Sequence, residues 1–195
     1  LKNVLKYNTK LVDSNFVIGR FGNVSMRNEQ FCIIKPSGVD LAKTLYNDMS
    51  VVNINSNKLI SGGSPSTDTP THLELYRNFD EIGAIVHTHS QFATAWAQVA
   101  KEIPCFGTTH ADYWKGNVPV SRPLVTEEIN GEYELETGKV IVETLTKKGL
   151  NPLECPGILV AFHGPFTWGR TMEEAVYYSE MLEYITNNSP VVKPK

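Results

Sequence analysis

The sequence predicts a layered α/β or α+β domain, and three observations support that prediction. The chain of 195 residues is long enough for one domain with a sizeable hydrophobic core. Short apolar runs bounded by glycine and proline, which are typical of buried strands, alternate along the chain with segments of helical periodicity. Neither internal repeats nor low-complexity segments interrupt this alternation. Strands interleaved with helices favour helices layered on a sheet, although the pattern alone leaves the strand directions open.

The first part of the chain predicts one helix and two strands. The opening segment has apolar residues at helical spacing and is therefore predicted to be an amphipathic helix: Leu1, Val4, Leu5, Leu11 and Val12. After an apolar stretch at residues 16–18, Gly22-Asn23-Val24-Ser25 is typical of a turn-rich link. Strands are predicted at residues 31–34 and 51–54, and the breakers in Lys35-Pro36-Ser37-Gly38 end the first of them.

A helix is predicted to begin at Asp68-Thr69-Pro70, because a side chain able to cap the helix precedes a proline at the first helical position. Residues 82–89 are predicted to form the central strand, and Ser90 is expected to cap the helix that follows. A further helix is predicted over residues 139–148 and a buried strand over 158–162.

The final helix has the clearest start, because Thr171 and Glu174 form the Thr-x-x-Glu pattern of a capping box.

Composition excludes several classes of partner. With 18 basic and 21 acidic residues the net charge is -3, which gives no reason to expect binding to nucleic acid or to an anionic membrane. No run approaches the ~20 apolar residues of a membrane span, and no signal-peptide pattern opens the sequence. Cys32, Cys105 and Cys155 are scattered, so we expect reduced thiols and a cytoplasmic protein.

Three histidines predict a divalent metal site. His87 and His89 lie two apart at the end of the predicted central strand, so both side chains point the same way and can reach one ion at about 2.0–2.1 Å. His163 also follows a predicted buried strand. Three imidazoles leave one position open, which is typical of catalytic zinc. The alternative is that these are surface or core histidines that bond to the backbone.

The remaining histidines and one acid are open to several interpretations. His72 is expected to be a packing or surface residue of its helix. His110 stands near Asp112, and we favour a supporting or structural role for it over a second metal site. Asp68 is expected to be the helix cap, a metal-proximal acid or base, or both.

Three segments have the composition of an anion pocket. Their glycines allow backbone amides to approach a phosphate, their hydroxyl and amide groups donate hydrogen bonds, and Lys35 adds a positive charge. The segments are Gly22-Asn23-Val24-Ser25, Lys35-Pro36-Ser37-Gly38 and Ser66-Thr67-Asp68. Each alone is an ordinary turn, and their significance comes from occurring together with a metal site.

The same residues carry a resemblance that covers almost the whole chain. The chain resembles the L-ribulose-5-phosphate 4-epimerases of the class II aldolase superfamily. Besides the three segments above, it has Ile85-Val86-His87-Thr88-His89-Ser90, Gly107-Thr108-Thr109-His110-Ala111-Asp112-Tyr113, Glu128-Ile129-Asn130-Gly131-Glu132-Tyr133-Glu134 and His163-Gly164-Pro165-Phe166. The strings around Asp112 and Tyr133 are specific to the epimerase branch rather than to the fuculose-phosphate aldolases.

The resemblance implies a single three-layer α/β/α domain over residues 1–195, with a largely antiparallel central sheet, assembled as a homotetramer with its active sites between subunits. It assigns a divalent ion, zinc or alternatively manganese, to His87, His89 and His163, with Asp68 at or near the ion. It places the substrate phosphate against Asn23, Lys35, Ser37, Gly38, Ser66 and Thr67. Asp112 is expected to be an acid/base residue that acts in a neighbouring subunit.

The implied reaction interconverts L-ribulose 5-phosphate and D-xylulose 5-phosphate by breaking and re-forming the bond between carbons 3 and 4. The alternative is a class II sugar-phosphate aldolase that releases its products. The chain departs from the family at its end, because the second proton carrier of the family is a tail tyrosine and none follows Tyr184. Either the tail is incomplete in this sequence, which we expect, or the protein lacks the second proton carrier and cleaves its substrate better than it epimerises it. The segment 26–30 is also about two residues shorter than usual.

Overall fold

The computed structural model describes residues 2–13, 16, 21–39 and 45–189. The strands in this part of the chain are β1 (Asn23–Asn28), β2 (Phe31–Ile34), β3 (Ser50–Asn53), β4 (Leu59–Ser61), β5 (Ala84–His87), β6 (Gly157–Leu159) and β7 (Pro165–Gly169). The helices are α1 (Lys2–Asp13), α2 (Thr69–Asn78), α3 (Gln91–Gln98), α4 (Thr108–Ala111), α5 (Thr126–Asn130), α6 (Tyr133–Lys147) and α7 (Met172–Asn187), with a short 3-10 turn at Tyr46–Asp48.

The strands form one sheet in the order β4-β3-β2-β1-β5-β7-β6, and every neighbouring pair is antiparallel. Side chains alternate between the two faces of the sheet. One face packs against α1 and α7, in a cluster that includes Val4, Val24, Val86 and Ala175. Residues of the other face pack in a second cluster that includes Leu73 of α2, Ile85, and Ile141 of α6. The predicted three-layer α/β/α fold with an antiparallel sheet is confirmed.

The register of the sheet gathers polar residues at one edge. Asn23, the first residue of β1, pairs with His87, the last residue of β5, and His87 pairs on its other side with Phe166 of β7. Lys35 follows the end of β2, whose Ile34 pairs with Ser25 of β1. Because neighbouring antiparallel strands run in opposite directions, the starts of β1 and β7 and the ends of β2 and β5 share this edge.

Strand β1 corrects one sequence prediction. Composition predicts a turn-rich link at residues 22–25, but residues 23–25 begin a central strand between β2 and β5. Val24 is buried against one face of the sheet, and Ser25 is buried on the other. Local composition favours a turn here, and pairing on both sides overrides that preference. Strands β4 and β7 were also not predicted, and α6 begins at Tyr133 instead of residue 139.

Helix starts agree with the sequence in position but differ in which groups cap them. Thr171 Oγ1 accepts a hydrogen bond from the backbone N–H of Glu174 at 3.2 Å, as predicted for α7. Asp68 and Ser90 occupy the N-cap positions of α2 and α3, yet neither side chain caps its helix. The Asp68 carboxylate instead accepts from Asn23 Nδ2 at 2.6 Å, so the expected cap has been turned toward the edge of the sheet.

Helix α3 is capped from another element. The backbone N–H groups of Phe92 and Ala93 donate to the two carboxylate oxygens of Glu183 on α7, both at 2.9 Å. A carboxylate at a helix N-terminus satisfies amides that have no partner within the helix and complements the helix dipole. Because α3 begins directly after His89 and Ser90, Glu183 fixes the path of the chain that leaves the histidine pair.

His72 is a buried packing residue, which was one of the interpretations of the sequence. Its Nδ1 lies 2.6 Å from Ser25 Oγ, which in turn lies 2.8 Å from the Tyr76 hydroxyl. His72 Nε2 has no hydrogen-bond partner within the described part of the chain. Burial lowers the pKa of His72 from 6.5 to about 3. The ring therefore stays neutral when folded, but takes up a proton below about pH 6.5 when the chain is unfolded.

Replacing His72 with glutamine is expected to make stability less sensitive to acid. Between about pH 6 and pH 4 the unfolded chain binds one more proton at His72 than the folded chain does, so stability falls as the pH falls. The contribution of this residue is about 1.4 kcal/mol per pH unit. Urea unfolding of both proteins at pH 7, 6, 5 and 4 measures it, and His72→Gln should lose stability more gradually. Parallel curves for the two proteins would contradict the assignment.

Candidate metal centre

A cavity of about 240 Å³ opens at the edge of the sheet where the ends of four strands meet. Three histidines line one part of it, and groups suited to binding an anion line another. The lining residues are Phe21, Gly22, Asn23, Lys35, Ser37, Gly38, Ser66, Thr67, Asp68, His87, His89, Tyr133 and His163. Strands β1 and β5, the loop after β2, the segment that leads into α2, the first residue of α6 and the turn before β7 each supply part of this wall.

The side chains of His87, His89 and His163 converge. One nitrogen of each ring lies within 4.8 Å of those of the other two, and Nε2 of His87 is 3.1 Å from Nε2 of His89. The centroid of the His163 ring lies 4.8 Å from that of His87 and 5.3 Å from that of His89. Among the described residues, these three histidines are the side chains that lie close enough together to hold one metal ion.

Hydrogen bonds on the outer side of two rings settle which nitrogen faces inward. His87 Nδ1 lies 2.9 Å from the carbonyl oxygen of Pro165, which can only accept, so Nδ1 carries the proton and Nε2 keeps its lone pair. His163 Nδ1 lies 3.2 Å from the Tyr133 hydroxyl, which leaves its Nε2 for the interior of the group. The His87 ring also stacks on Phe166, with the centroids 4.1 Å apart.

The electrostatic environment keeps these rings neutral. Burial lowers the pKa of His87 to about 3, and the neighbouring His89 contributes to that lowering. The pKa of His163 is likewise about 3, chiefly because of burial and then because of the other two rings. Burial also lowers the pKa of His89. Neutral imidazoles with inward lone pairs are what a metal ion requires.

The donor set fits a divalent ion. Nitrogens bound to one tetrahedral zinc at about 2.0–2.1 Å lie roughly 3.3 Å apart, and the pair at 3.1 Å approaches that spacing. The lone pair of His87 Nε2 is directed toward His89, and an ion held by both histidines would accept it. No cysteine sulfur belongs to the group within the described residues, so the set matches a catalytic rather than a closed structural zinc site.

Gly164 allows the two histidine-bearing segments to approach each other. A Cβ atom at this position would lie 3.0 Å from the Thr88 carbonyl oxygen and 3.6 Å from His87 Cε1. The Gly164 position therefore bears directly on the spacing between His163 and the His87–His89 pair.

Gly164→Ala is expected to weaken metal binding and to destabilise the fold by about 1–3 kcal/mol, because the added methyl group must push the Thr88 carbonyl away. Zinc affinity by chelator competition and urea unfolding of the metal-free protein measure the two effects. Gly107→Ala is the matched control, since a Cβ atom at Gly107 meets no heavy atom within 4 Å. Equal zinc affinity in Gly164→Ala and the wild type would show that this approach does not position the ligands.

The other part of the cavity has the features of an anion pocket. Lys35 is only 3% exposed, and burial lowers the pKa of its ammonium group while Asp68 opposes that change. Ser66 and Thr67 lie at the start of α2, whose first backbone N–H groups carry the positive end of the helix dipole. A buried lysine at a helix N-terminus gives a phosphate both a charge and hydrogen-bond donors.

Backbone pairing holds together the two loops that line this part of the cavity. Pro36 and Pro65 form an antiparallel bridge, and Ser66 N–H donates to the Lys35 carbonyl oxygen at 3.0 Å. Ser37 N–H donates to the Ser64 carbonyl oxygen at 2.8 Å. Gly38 has a φ of +68°, a left-handed conformation that glycine adopts without strain. The loops therefore form one rigid wall.

Asp68 lies between the two parts of the cavity. Its Oδ2 accepts from Asn23 Nδ2, which also lies 3.4 Å from Ser66 Oγ. The negative charge of Asp68 opposes the loss of protons from His89 and His163. Asp68 is outside the group of three converging ligand atoms, so the geometry places it next to that group.

The structure brings together every residue that the sequence predicted for metal or phosphate, and leaves Asp112 apart. The residues predicted for metal or phosphate all line the cavity: His87, His89, His163, Asp68, Asn23, Lys35, Ser37, Gly38, Ser66 and Thr67. Asp112 is exposed at the end of α4 and is not among the lining residues. His110 is buried with its ring 6.4 Å from that of Trp114, outside the histidine group of the described chain.

Sequence reasoning missed two lining residues, Phe21 and Tyr133. Phe21 is 63% exposed and its ring centroid lies 5.6 Å from that of His89. Tyr133 is part of a string on which the family resemblance rests, but nothing in that string indicates that its hydroxyl meets His163. An apolar residue at a cavity rim leaves no periodic signal.

The family model of the class II aldolase and adducin N-terminal domain matches residues 2–188. The chain belongs to this family. A solved structure of an L-fuculose 1-phosphate aldolase is 26% identical, with a TM-score of 0.80, over 100% of this chain and 90% of that one. YgbL from Escherichia coli, described as a candidate aldolase, epimerase or decarboxylase, is 24% identical with a TM-score of 0.78, over 100% of this chain and 89% of its own.

A third solved structure, an L-fuculose-1-phosphate aldolase from Thermus thermophilus, is 23% identical with a TM-score of 0.75, over 95% of this chain and 91% of that one. The matches below 25% identity show likeness of fold. Within the described part of this class II aldolase-type chain, none of the helices has the length and apolar character needed to cross a membrane.

Proposed function

We propose that the chain is a divalent-metal-dependent L-ribulose-5-phosphate 4-epimerase, which interconverts L-ribulose 5-phosphate and D-xylulose 5-phosphate. One observation carries the proposal: a single cavity has three neutral histidines in one part and the buried Lys35 beside a helix N-terminus in another. A phosphorylated ketopentose has an anion at one end and vicinal oxygens at the other, which matches this division.

The chemistry explains why both parts are needed. Carbon 4 is not adjacent to the carbonyl, so removing its proton does not give a stabilised carbanion. Breaking the bond between carbons 3 and 4 instead leaves the electron pair on the three-carbon fragment as an enediolate. The carbon-4 hydroxyl loses its proton and becomes the aldehyde of glycolaldehyde phosphate. Rotation of this aldehyde and re-formation of the bond invert carbon 4.

The phosphate pocket has a task during this rotation. Lys35, Ser66 and Thr67 are proposed to hold the phosphate of the two-carbon fragment, together with Asn23, Ser37 and Gly38, while its aldehyde turns over. Binding energy from a group that does not react thus keeps a reactive fragment in place. Lys35 is buried in a rigid wall, so little reorganisation is required when the phosphate binds.

The histidine group has the other task. His87, His89 and His163 are proposed to hold the divalent ion, zinc or alternatively manganese, with Asp68 beside it. When bound, the ion supplies a Lewis acid that stabilises the negative charge of the three-carbon fragment. Proton transfer requires one carrier for each face of the aldehyde. We propose Asp112 as one of them, acting in the cavity of a neighbouring subunit.

A sugar-phosphate aldolase is the second candidate. It breaks the same bond with the same cavity but lets the fragments leave. The 26% identity to an L-fuculose 1-phosphate aldolase favours it, whereas the strings around Asp112 and Tyr133 resemble the epimerase branch. The family also includes adducin-type domains. A binding module has no need for three metal-type histidines in one cavity with an anion pocket.

Incubating the purified, zinc-loaded protein with L-ribulose 5-phosphate separates these candidates. We expect D-xylulose 5-phosphate to accumulate with little free glycolaldehyde phosphate. Release of glycolaldehyde phosphate and dihydroxyacetone as the main products supports the aldolase instead. No conversion in either direction, by a protein that binds zinc, contradicts both reactions for this substrate.

The proposed assembly is a homotetramer of single-domain chains spanning residues 1–195, acting in the cytoplasm. Asp112 lies outside the cavity of its own chain, so its proposed role requires at least a second copy. Sedimentation of the protein and activity of mixed variants test this requirement.

A further inference from the structure

Tyr133 contacts a proposed metal ligand and lines the same cavity. Its hydroxyl lies 3.2 Å from His163 Nδ1, and the centroids of the two rings are 5.9 Å apart. The side chain is half-buried, so one side meets His163 and another reaches the cavity that the sugar is proposed to occupy. The sequence pattern does not predict a partner for His163 Nδ1, whereas the fold brings the Tyr133 hydroxyl to it.

The backbone holds Tyr133 in a fixed place. Tyr133 is the first residue of α6, and its carbonyl oxygen accepts from Thr137 Oγ1 at 2.8 Å. The carbonyl oxygen of the next residue, Glu134, accepts a hydrogen bond from Thr71 Oγ1 of α2 at 2.5 Å. Gly138 lets the two helices approach, since a Cβ atom there would lie 2.7 Å from the Glu74 Cβ. The hydroxyl is therefore positioned relative to α2, the helix that follows Asp68.

The direction of the hydrogen bond follows from the state of His163. A neutral imidazole carries one proton. If Nε2 presents its lone pair to an ion, Nδ1 must carry that proton and donate it to the Tyr133 oxygen. The phenol then keeps its own proton for a second hydrogen bond. In the cavity, that proton can be donated to an oxygen of the bound sugar.

We propose that Tyr133 both positions His163 and donates a hydrogen bond to a substrate oxygen, so that one hydroxyl connects a metal ligand to the sugar. The second half of this proposal rests on the proposed function, because it requires a sugar phosphate in the cavity. The first half concerns the protein and its ion alone. Partners that hold a metal-bound histidine by its outer nitrogen commonly raise metal affinity by about 10–100-fold.

Tyr133→Phe removes the hydroxyl and keeps the ring. In the absence of substrate, we expect its zinc affinity, measured by competition with a chromogenic chelator, to fall about 10–100-fold. Cobalt loaded in place of zinc should show an altered visible absorption band, because His163 is no longer held in one orientation. Tyr7→Phe is the matched control, since it removes a tyrosine hydroxyl on α1 outside the cavity.

Two outcomes overturn the positioning role. One is a zinc affinity of Tyr133→Phe within twofold of the wild type. The other is an equal loss in Tyr7→Phe. Thermal unfolding of the metal-free proteins is measured in parallel, and a similar midpoint for Tyr133→Phe and the wild type attributes the lost affinity to the hydroxyl. A strongly lowered midpoint would instead assign Tyr133 to the fold and contradict the proposal.

Kinetics at saturating zinc test the donor role. We expect Tyr133→Phe to raise KM for L-ribulose 5-phosphate and to lower kcat/KM by about 10-fold, the value of one hydrogen bond of ~1.4 kcal/mol. Unchanged kcat and KM overturn this half. The failure of the proposed function is distinguishable: the wild type would then convert no L-ribulose 5-phosphate, while Tyr133→Phe would still bind zinc more weakly.

Discussion

His87→Asn is expected to remove the bound metal and to abolish activity. His87 is the central member of the histidine group, with rings on both sides and its Nε2 3.1 Å from that of His89. Asparagine is too short to return a donor atom to the same place. Losing the ion removes several kcal/mol of charge stabilisation, which corresponds to a fall in rate of about 10²–10⁴-fold or more.

Metal analysis of the purified variant and the rate with L-ribulose 5-phosphate check this result. His110→Asn is the matched control for metal content, because His110 is also buried but lies outside the group. We expect it to retain the metal. A His87→Asn protein that keeps one tightly bound ion and full activity would refute the proposed centre. If the metal is lost but the rate persists, the chemistry does not depend on this ion.

Asp112→Asn should slow epimerisation by about 10²–10⁴-fold while leaving the metal content unchanged. The substitution keeps the size of the side chain and removes its ability to take a proton. Asp112 is exposed and apart from the cavity of its own chain, so neither zinc affinity nor stability should move. Stopped assays for D-xylulose 5-phosphate and zinc titrations measure the two properties separately.

A mixture of two inactive proteins sharpens this test. In a hybrid oligomer of Asp112→Asn and His87→Asn subunits, the first supplies an intact histidine group and the second an intact Asp112. Co-expression of the two should therefore recover part of the activity that each lacks alone. Recovery supports an acid/base residue that acts between subunits. Hybrids as inactive as the parents, despite confirmed mixing, would contradict that role.

Much of the site could be predicted because its parts follow local rules. The two-residue repeat of a predicted strand puts His87 and His89 on one side, and the two rings do converge although β5 itself ends at His87. Residues 35–38 and 66–68 have the glycines, hydroxyls and lysine that loops use to bind anions. These features depend on neighbours in sequence, and the structure brings the resulting segments to one cavity.

Other parts depend on pairing between distant segments and could not be predicted locally. Strand β1 looks like a turn until β2 and β5 pair with its two sides. The carboxylate of Asp68 has the position of a helix cap, but an amide 45 residues earlier competes for it. The amides of α3 are satisfied by Glu183, 90 residues later. Propensity gives the elements, and tertiary contacts decide which groups meet.

The place of β7 in the sheet has a consequence for biosynthesis. The turn before this last strand carries His163, while β7 itself lies between β5 and β6. When His87 and His89 of a nascent chain have left the ribosome, His163 and strand β7, which pairs with β5, have not yet followed. Both become available only when residues up to Gly169 have left the ribosome. The complete set of three histidines for the proposed ion therefore forms only after β7 has been synthesised. Since such an ion would bind the native state alone, it would also stabilise the folded chain, by ~4 kcal/mol at about 1,000 times its Kd.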